Sequence, residues 1–447
     1  MSISSTYKTK DLNIGYLYIT NMITLEKLNE MNHWWKAEDV KKELAPDFKR
    51  NLYVEIQKYL NLRQIIAIIG LRRTGKSTLF YQLIKELIDK KINPENILYF
   101  SFDESKTELS ELINFYKENI IKKDISEDKF YIFLDEIQKL DDWENKIKIY
   151  YDIYPNLKFF ISGSASINIL LNSKESLAGR IFYFQLDPLS FEEFLRIKGK
   201  EVVKIQKNIN LWGSELRIEI NEYLLKPFPE IVNANDDLAR KYIKESIIDK
   251  AIFRDLSALF EVKDIELIET LINIIASNPG MVINLDDISK DLKRSRQVIS
   301  NYLYYLEYCF ILKSLKNFRG SLRVSSRKLK KYYLIHPSIA LALASPERGK
   351  IIENLVQFKT KSDYYWREGK KEVDFVKLKE KIIIPIESKY SDNIKIKDIK
   401  GLIKFIENFK IKEGTVVTKE LEKTEEIKVA KSKINIHFIP LWKWLLK

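Results

Sequence analysis

Gly70, Leu71, Arg72, Arg73, Thr74, Gly75, Lys76 and Ser77 constrain this chain more than any other segment. They fill the pattern G-x-x-x-x-G-K-[ST]. Before them lies an isoleucine-rich run at 64–69, short and apolar enough for a buried strand. After them, apolar residues recur at helical spacing over 76–90 (Leu79, Phe80, Leu83, Ile84, Leu87). Strand, glycine loop and helix in that order make an anion cradle. The glycines let backbone N–H groups curl inward without Cβ clashes, and the helix points its positive end at the anion. Lys76 would neutralise the β- and γ-phosphates of a nucleotide, Ser77 would ligate Mg²⁺, and Thr78 extends the loop into the first helical turn.

A second motif fits the first. Residues 131–136 run Tyr-Ile-Phe-Leu-Asp-Glu, an apolar strand ending in two carboxylates. Asp135 is placed to hold Mg²⁺ through water, and Glu136 to take a proton from an attacking water. Ser162, Gly163 and Ser164 follow a later strand, where a polar side chain could orient that water; ordinary loop chemistry accounts for them equally well. Arg180 in Leu177-Ala178-Gly179-Arg180 is either an arginine finger or one half of a structural ion pair.

The five apolar runs at 64–69, 97–102, 130–134, 157–161 and 181–185 predict strands. Helical patterns between the first four predict a parallel α/β sheet covered on both faces. At ~150 residues per domain, 447 residues suggest about three domains. A composition of 45% apolar and 31% charged residues excludes a mostly disordered chain. One cysteine excludes an intramolecular disulfide, and with only three histidines it argues against a Cys/His zinc site. Such usage fits a reducing cytoplasm. No apolar run approaches the ~20 residues that span a bilayer, and no signal peptide is expected. The net charge of +13 suits an acidic partner such as nucleic acid, although a lysine-rich surface also serves solubility alone.

These motifs, with Trp34-Trp35, Leu134-Asp135-Glu136-Ile137-Gln138 and Leu189-Ser190-Phe191-Glu192-Glu193-Phe194, resemble the archaeal and bacterial AAA-type ATPases that carry a C-terminal domain of unknown function. The resemblance covers nearly the whole chain. It implies an α/β fold: a parallel-sheet P-loop NTPase domain with a helical lid, a winged helix and a restriction-endonuclease-like α/β domain. It implies ATP as the nucleotide and, as in many AAA relatives, homo-oligomers. The expected divisions are an N-terminal extension (1–50), the ATPase core (51–189), the lid (190–261), the winged helix (262–345) and the nuclease-like domain (346–447). Trp34 and Trp35 are either adenine platforms or core aromatics, and core is the commoner role.

Helical spacing at 264–277, 286–293 and 295–310, followed by strands near 311–315 and 332–335, predicts the winged form of helix-turn-helix. Arg294, Arg296, Gln297 and Asn301 lie near the start of its third helix. Arg319, Arg323, Arg327, Lys328, Lys330 and Lys331 fall in one acid-free stretch suited to DNA phosphates. The alternative is a winged helix that only joins domains. Beyond 349 the pattern predicts a separate α/β unit: a helix, three strands, a helix, two short strands. On it Glu353, Asp374, Glu387 and Lys389 occur in the order of a PD-(D/E)XK nuclease. The three carboxylates would hold a second Mg²⁺ or Mn²⁺, and Lys389 would act on water or on developing charge. The function expected is ATP-binding and ATP-hydrolysing action on DNA. The alternative is a nucleotide-gated binding switch whose nuclease-like domain does not cut.

Overall fold

The computed structural model describes residues 23–103, 107–163, 177–256, 260, 262–319, 326–380, 382–429 and 432–447. The described residues divide into two compact units: those up to 70 with those of 75–186, and 71–74 with those of 187–447.

In the first unit, strands β1 (Ile65–Ile69), β2 (Ile97–Ser101), β3 (Phe130–Asp135), β4 (Leu157–Gly163) and β5 (Ile181–Gln185) form one sheet in the order β2-β3-β4-β1-β5. Every pairing is parallel. All five stand where the apolar runs predicted them. β1, β3 and β4 are buried at every residue, as a sheet covered on both faces requires. Helix α1 (Lys76–Asp89) buries Leu79, Phe80, Leu83 and Ile84 against Ile66, Ile68, Phe133 and Phe160. Phe133 and Phe160 stack with centroids 4.3 Å apart. Trp34 is fully buried, and both Trp34 and Trp35 donate their indole N–H to the Ile97 carbonyl. Of the two readings of the tryptophans, the core reading is the one the structure carries.

The second unit opens with helices that include Phe191–Ile197, Gly213–Tyr223 and Asp236–Lys241. The first has Ser190 as N-cap, reciprocated by Glu193. There follow α2 (Ile265–Ser277), β6 (Met281–Asn284), α3 (Leu285–Asp291), α4 (Arg296–Tyr308), β7 (Leu312–Asn317) and β8 (Ser326–Leu334). Beyond them come α5 (Arg348–Thr360), β9 (Tyr364–Glu368), β10 (Lys371–Lys379), β11 (Ile382–Lys389), α6 (Lys400–Phe409), β12 (Glu413–Thr418), β13 (Lys423–Val429) and β14 (Ser432–Pro440). Two strands, β6 and one of the last three, exceed the expected number; β6 is only four residues long. The C-terminal segment is also not a separate sheet. β7 pairs parallel with β9, Lys316 beside Tyr364, so one nine-stranded sheet runs β13-β14-β12-β11-β10-β9-β7-β8-β6. Helix α6 lies on β10 through Gly401, where a Cβ would collide with the Glu372 carbonyl oxygen.

Candidate functional site

The C-terminal ends of parallel strands gather the polar groups of the first site, as open α/β sheets do. β1 runs into Gly70, β3 ends at Asp135, and Ser162 sits near the end of β4. Gly70 is required by close approach, since a Cβ there would meet the Leu186 carbonyl oxygen. Gly75 has φ +96°, and Arg73 takes φ +63°, a left-handed conformation disfavoured for a side chain. Lys76 is buried and donates to the Gly70 carbonyl at 3.1 Å, which folds its ammonium back over the loop.

Asp135 is the hub. The Ser77 hydroxyl donates to its Oδ2 at 2.5 Å, Tyr99 to the same oxygen at 3.0 Å, and Ser162 to Oδ1. The Glu136 N–H also reaches Oδ1, at 3.1 Å. The two expected Mg²⁺ ligands, Ser77 and Asp135, therefore stand side by side with oxygens converging, and this donor set fits a hard cation. Ser162 reaches Asp135 rather than open solvent. Tyr99 was not singled out in the sequence, though it lies on β2 two residues before Ser101, which pairs with Asp135. Burial and the Asp135 charge push its phenol well above the ordinary value, so it stays a donor.

Glu136 takes φ +52°, ψ +44° as the chain turns off β3, which aims its side chain away from the strand direction. The Gln138 amide donates to its Oε2. Arg180 makes two hydrogen bonds to Asp152, at 3.0 and 3.4 Å. It precedes Ile181, which pairs with Ile65 at the start of β1. That is the far end of a strand spanning roughly 17 Å from the loop, so Arg180 cannot act as a finger on its own chain's loop.

Leu71–Thr74 group with the second unit. There Arg72 forms a bidentate pair with Asp255, both hydrogen bonds 2.5 Å, and Arg73 pairs with Glu230 at 3.2 Å. Asp255 is buried, so the Arg72 pair is held in fixed geometry.

The structure also brings Glu353, Asp374, Glu387 and Lys389 together, in the second unit. Lys389 pairs with Glu387 Oε1 at 2.7 Å. Glu387 Oε2 accepts from the Asp374 N–H at 3.3 Å, and Asp374 Oδ2 from the Ser388 N–H at 3.0 Å. Burial and the neighbouring Asp374 raise the Glu387 carboxyl, Lys389 opposing in part. Burial would also raise Asp374, but Lys331 and Lys389 hold it below its ordinary value. Two groups in the cluster were not expected. Glu372, two residues before Asp374 on β10, shares its face, and that alternation was available as a signal.

The other is Lys331. It was expected on the surface against DNA, yet it is 2% exposed and lies among the carboxylates. It stands on β8, and β-strand alternation turns it inward beside Tyr333. Of the remaining cations, Arg296 is exposed and pairs with Asp286 at 2.8 Å, Arg294 pairs with Asp264, and Arg319 is exposed. Ser164 and Arg323 lie outside the described residues, as do the side chains of Arg327 and Lys328.

A family of AAA domains matches residues 62–195. Two domains of unknown function, DUF8612 and DUF4143, match 219–348 and 349–444. An uncharacterized protein of Methanocaldococcus jannaschii is 29% identical over 89% of this chain and 91% of its own length. An uncharacterized protein of Haemophilus influenzae is 26% identical over 81% of this chain and 91% of its own. The S. cerevisiae Hsp104-ADP complex aligns at TM-score 0.32 and 17% identity, over 62% of this chain and 41% of that one. Residues 62–195 are an AAA-type P-loop domain. No described helix is long and apolar enough to cross a membrane.

Proposed function

We propose that the chain is a Mg²⁺-dependent ATPase whose nucleotide cycle gates binding by its second unit, with duplex DNA as the ligand. The observation that carries the first half is the Ser77 hydroxyl 2.5 Å from the Asp135 carboxylate, beneath a loop already closed by Lys76. Bound Mg²⁺ would supply charge neutralisation at the β- and γ-phosphates. Ser77 and Asp135 would hold it, and Tyr99 and Ser162 fix the Asp135 carboxylate. Lys76 and the loop N–H groups bind the phosphates. Glu136 takes the proton of the attacking water, with Gln138 holding its carboxylate in place. The coupling is supported by Arg72 and Arg73, two loop residues whose guanidinium groups are tied to Asp255 and Glu230. A change of loop backbone must be felt at those pairs.

DNA is supported by the net charge, by exposed Arg296 and Arg319, and by the order α2-β6-α3-α4-β7-β8, which is that of a winged helix. Homo-oligomers are the setting in which Arg180 could reach a nucleotide, from a neighbouring copy. Metal-dependent cleavage, the other expectation for this unit, would require a cation among Glu353, Asp374 and Glu387, which fall in order with Lys389 on α5, β10 and β11. Phosphate release tests the ATPase reading: Glu136→Gln should retain ATP binding and lose roughly 100-fold or more in turnover. Lys76→Ala should lose binding as well. Wild-type turnover in Glu136→Gln would remove the assignment of the base.

A further inference from the structure

The Glu353, Glu372, Asp374 and Glu387 carboxylates lie on three elements and are largely withdrawn from water. Four carboxyls held this close cannot all ionise without cations among them. In this structure the cation at the centre is a side chain. The Lys331 ammonium is 2.8 Å from Glu353 Oε1, 2.8 Å from Glu372 Oε1 and 3.1 Å from Asp374 Oδ1. Glu372 and Asp374 accept hydrogen bonds from this ammonium, and Glu353 is its third partner as an ion pair. Of the three carboxylates expected to ligate metal, every oxygen has a protein donor. Glu353 Oε1 also accepts from Tyr333 at 2.6 Å, and its Oε2 pairs with Lys350 at 3.1 Å. Asp374 uses its second oxygen on Ser388, and Glu387 uses both, on Lys389 and on the Asp374 N–H.

A divalent metal does not fit that arrangement. Mg²⁺ asks for oxygens at about 2.1 Å in octahedral array, and Lys331 stands where Glu353 and Asp374 converge. We propose that Lys331 is a built-in cation standing in place of the divalent metal, contributed to the C-terminal carboxylate cluster by β8 of the neighbouring hairpin. The cluster is closed to metal while β8 keeps its register against β7 and β6. This reading is independent of the ATPase assignment.

The fit extends beyond the lysine. Gly280, just before β6, has φ +83°, and a Cβ there would press on Glu353 Oε1 and the Tyr333 ring. Its N–H is held by the Tyr332 carbonyl at 2.8 Å. β8 thus supplies the lysine and the tyrosine that shares Glu353, and Gly280, before the neighbouring β6, supplies the clearance that Glu353 needs. Charge alone would have been met by any surface lysine; a 2% exposed one with three partners is a built feature.

The test is Mn²⁺ binding to the full chain, without nucleotide, by calorimetric titration and thermal shift. Asp135→Asn serves as the background, so that the ATPase site contributes nothing. In that background the protein should bind no Mn²⁺. Adding Lys331→Met, which keeps the length and removes the charge, should create one Mn²⁺ site at least about tenfold tighter than any residual binding. Mn²⁺ should raise the melting temperature of that variant. Adding Asp374→Asn should abolish the new site. Two results would overturn the proposal: Mn²⁺ bound with Lys331 intact and lost on Asp374→Asn, or a folded Lys331→Met variant that binds none. If Lys331→Met folds poorly, the comparison of Asp135→Asn with and without Asp374→Asn still decides it, because identical Mn²⁺ isotherms are expected there.

Discussion

At Gly70 the strand-to-loop turn leaves no room for a methyl group, because the Leu186 carbonyl occupies the space. Gly70→Ala should therefore destabilise the first unit by about 1–3 kcal/mol and weaken nucleotide binding. Denaturant unfolding with and without ATP and Mg²⁺ measures both; unchanged stability would mean the loop takes another path. Lys76, Ser77, Asp135 and Glu136 were legible in the sequence because their motifs fix residue type, spacing and flanking elements together. Lys331 was not. Nothing in a run of Arg and Lys between Phe318 and Tyr332 marks which cation faces inward. That depends on the alternation of β8 and on which sheet receives it, and the pairing of β7 with β9 appears only in three dimensions. Gln138 was visible as part of a motif, but its hydrogen bond to Glu136 depends on the left-handed turn at Glu136.

Single elements carry their own tests. His336 caps the helix Pro337–Leu343: its Nδ1 accepts from the Ser338 N–H at 3.1 Å, and its ring lies fully buried between Tyr223 and Phe358. Burial holds its pKa well below 6.5, so the folded protein keeps the ring neutral. The unfolded chain binds a proton as pH falls through about 6.5 and the folded chain does not. Stability should be fully present above that pH and fall below it. His336→Asn, which can still accept from a capping N–H, should flatten the slope of stability between about pH 6.5 and 5. An unchanged slope would place the acid sensitivity elsewhere. Helices and strands longer than five residues were largely readable from periodicity, since burial of one face imposes it. β6 and the extra C-terminal strand were not. β6 has four residues, and β13 (KTEEIKV) is mostly polar, so its place is fixed by pairing with β14 rather than by its own pattern.

For the molecule as a whole, charge and coupling can be separated. Arg296 and Arg319 are exposed cations on the segment read as a winged helix. Arg296→Gln with Arg319→Gln should weaken duplex DNA binding uniformly across sequences and lower the salt slope by about 2. An unchanged slope would leave that segment a structural joint. The gating claim asks more: that the state of the nucleotide loop is read by the second unit. The measurement that tests it most directly is duplex DNA affinity of Glu136→Gln with Mg²⁺ and ATP, against the same protein without nucleotide, with Lys76→Ala as control. A gated protein should show a difference of roughly fivefold or more in Glu136→Gln and none in Lys76→Ala. Identical DNA isotherms with and without ATP, in a Glu136→Gln protein shown to bind ATP, would contradict it.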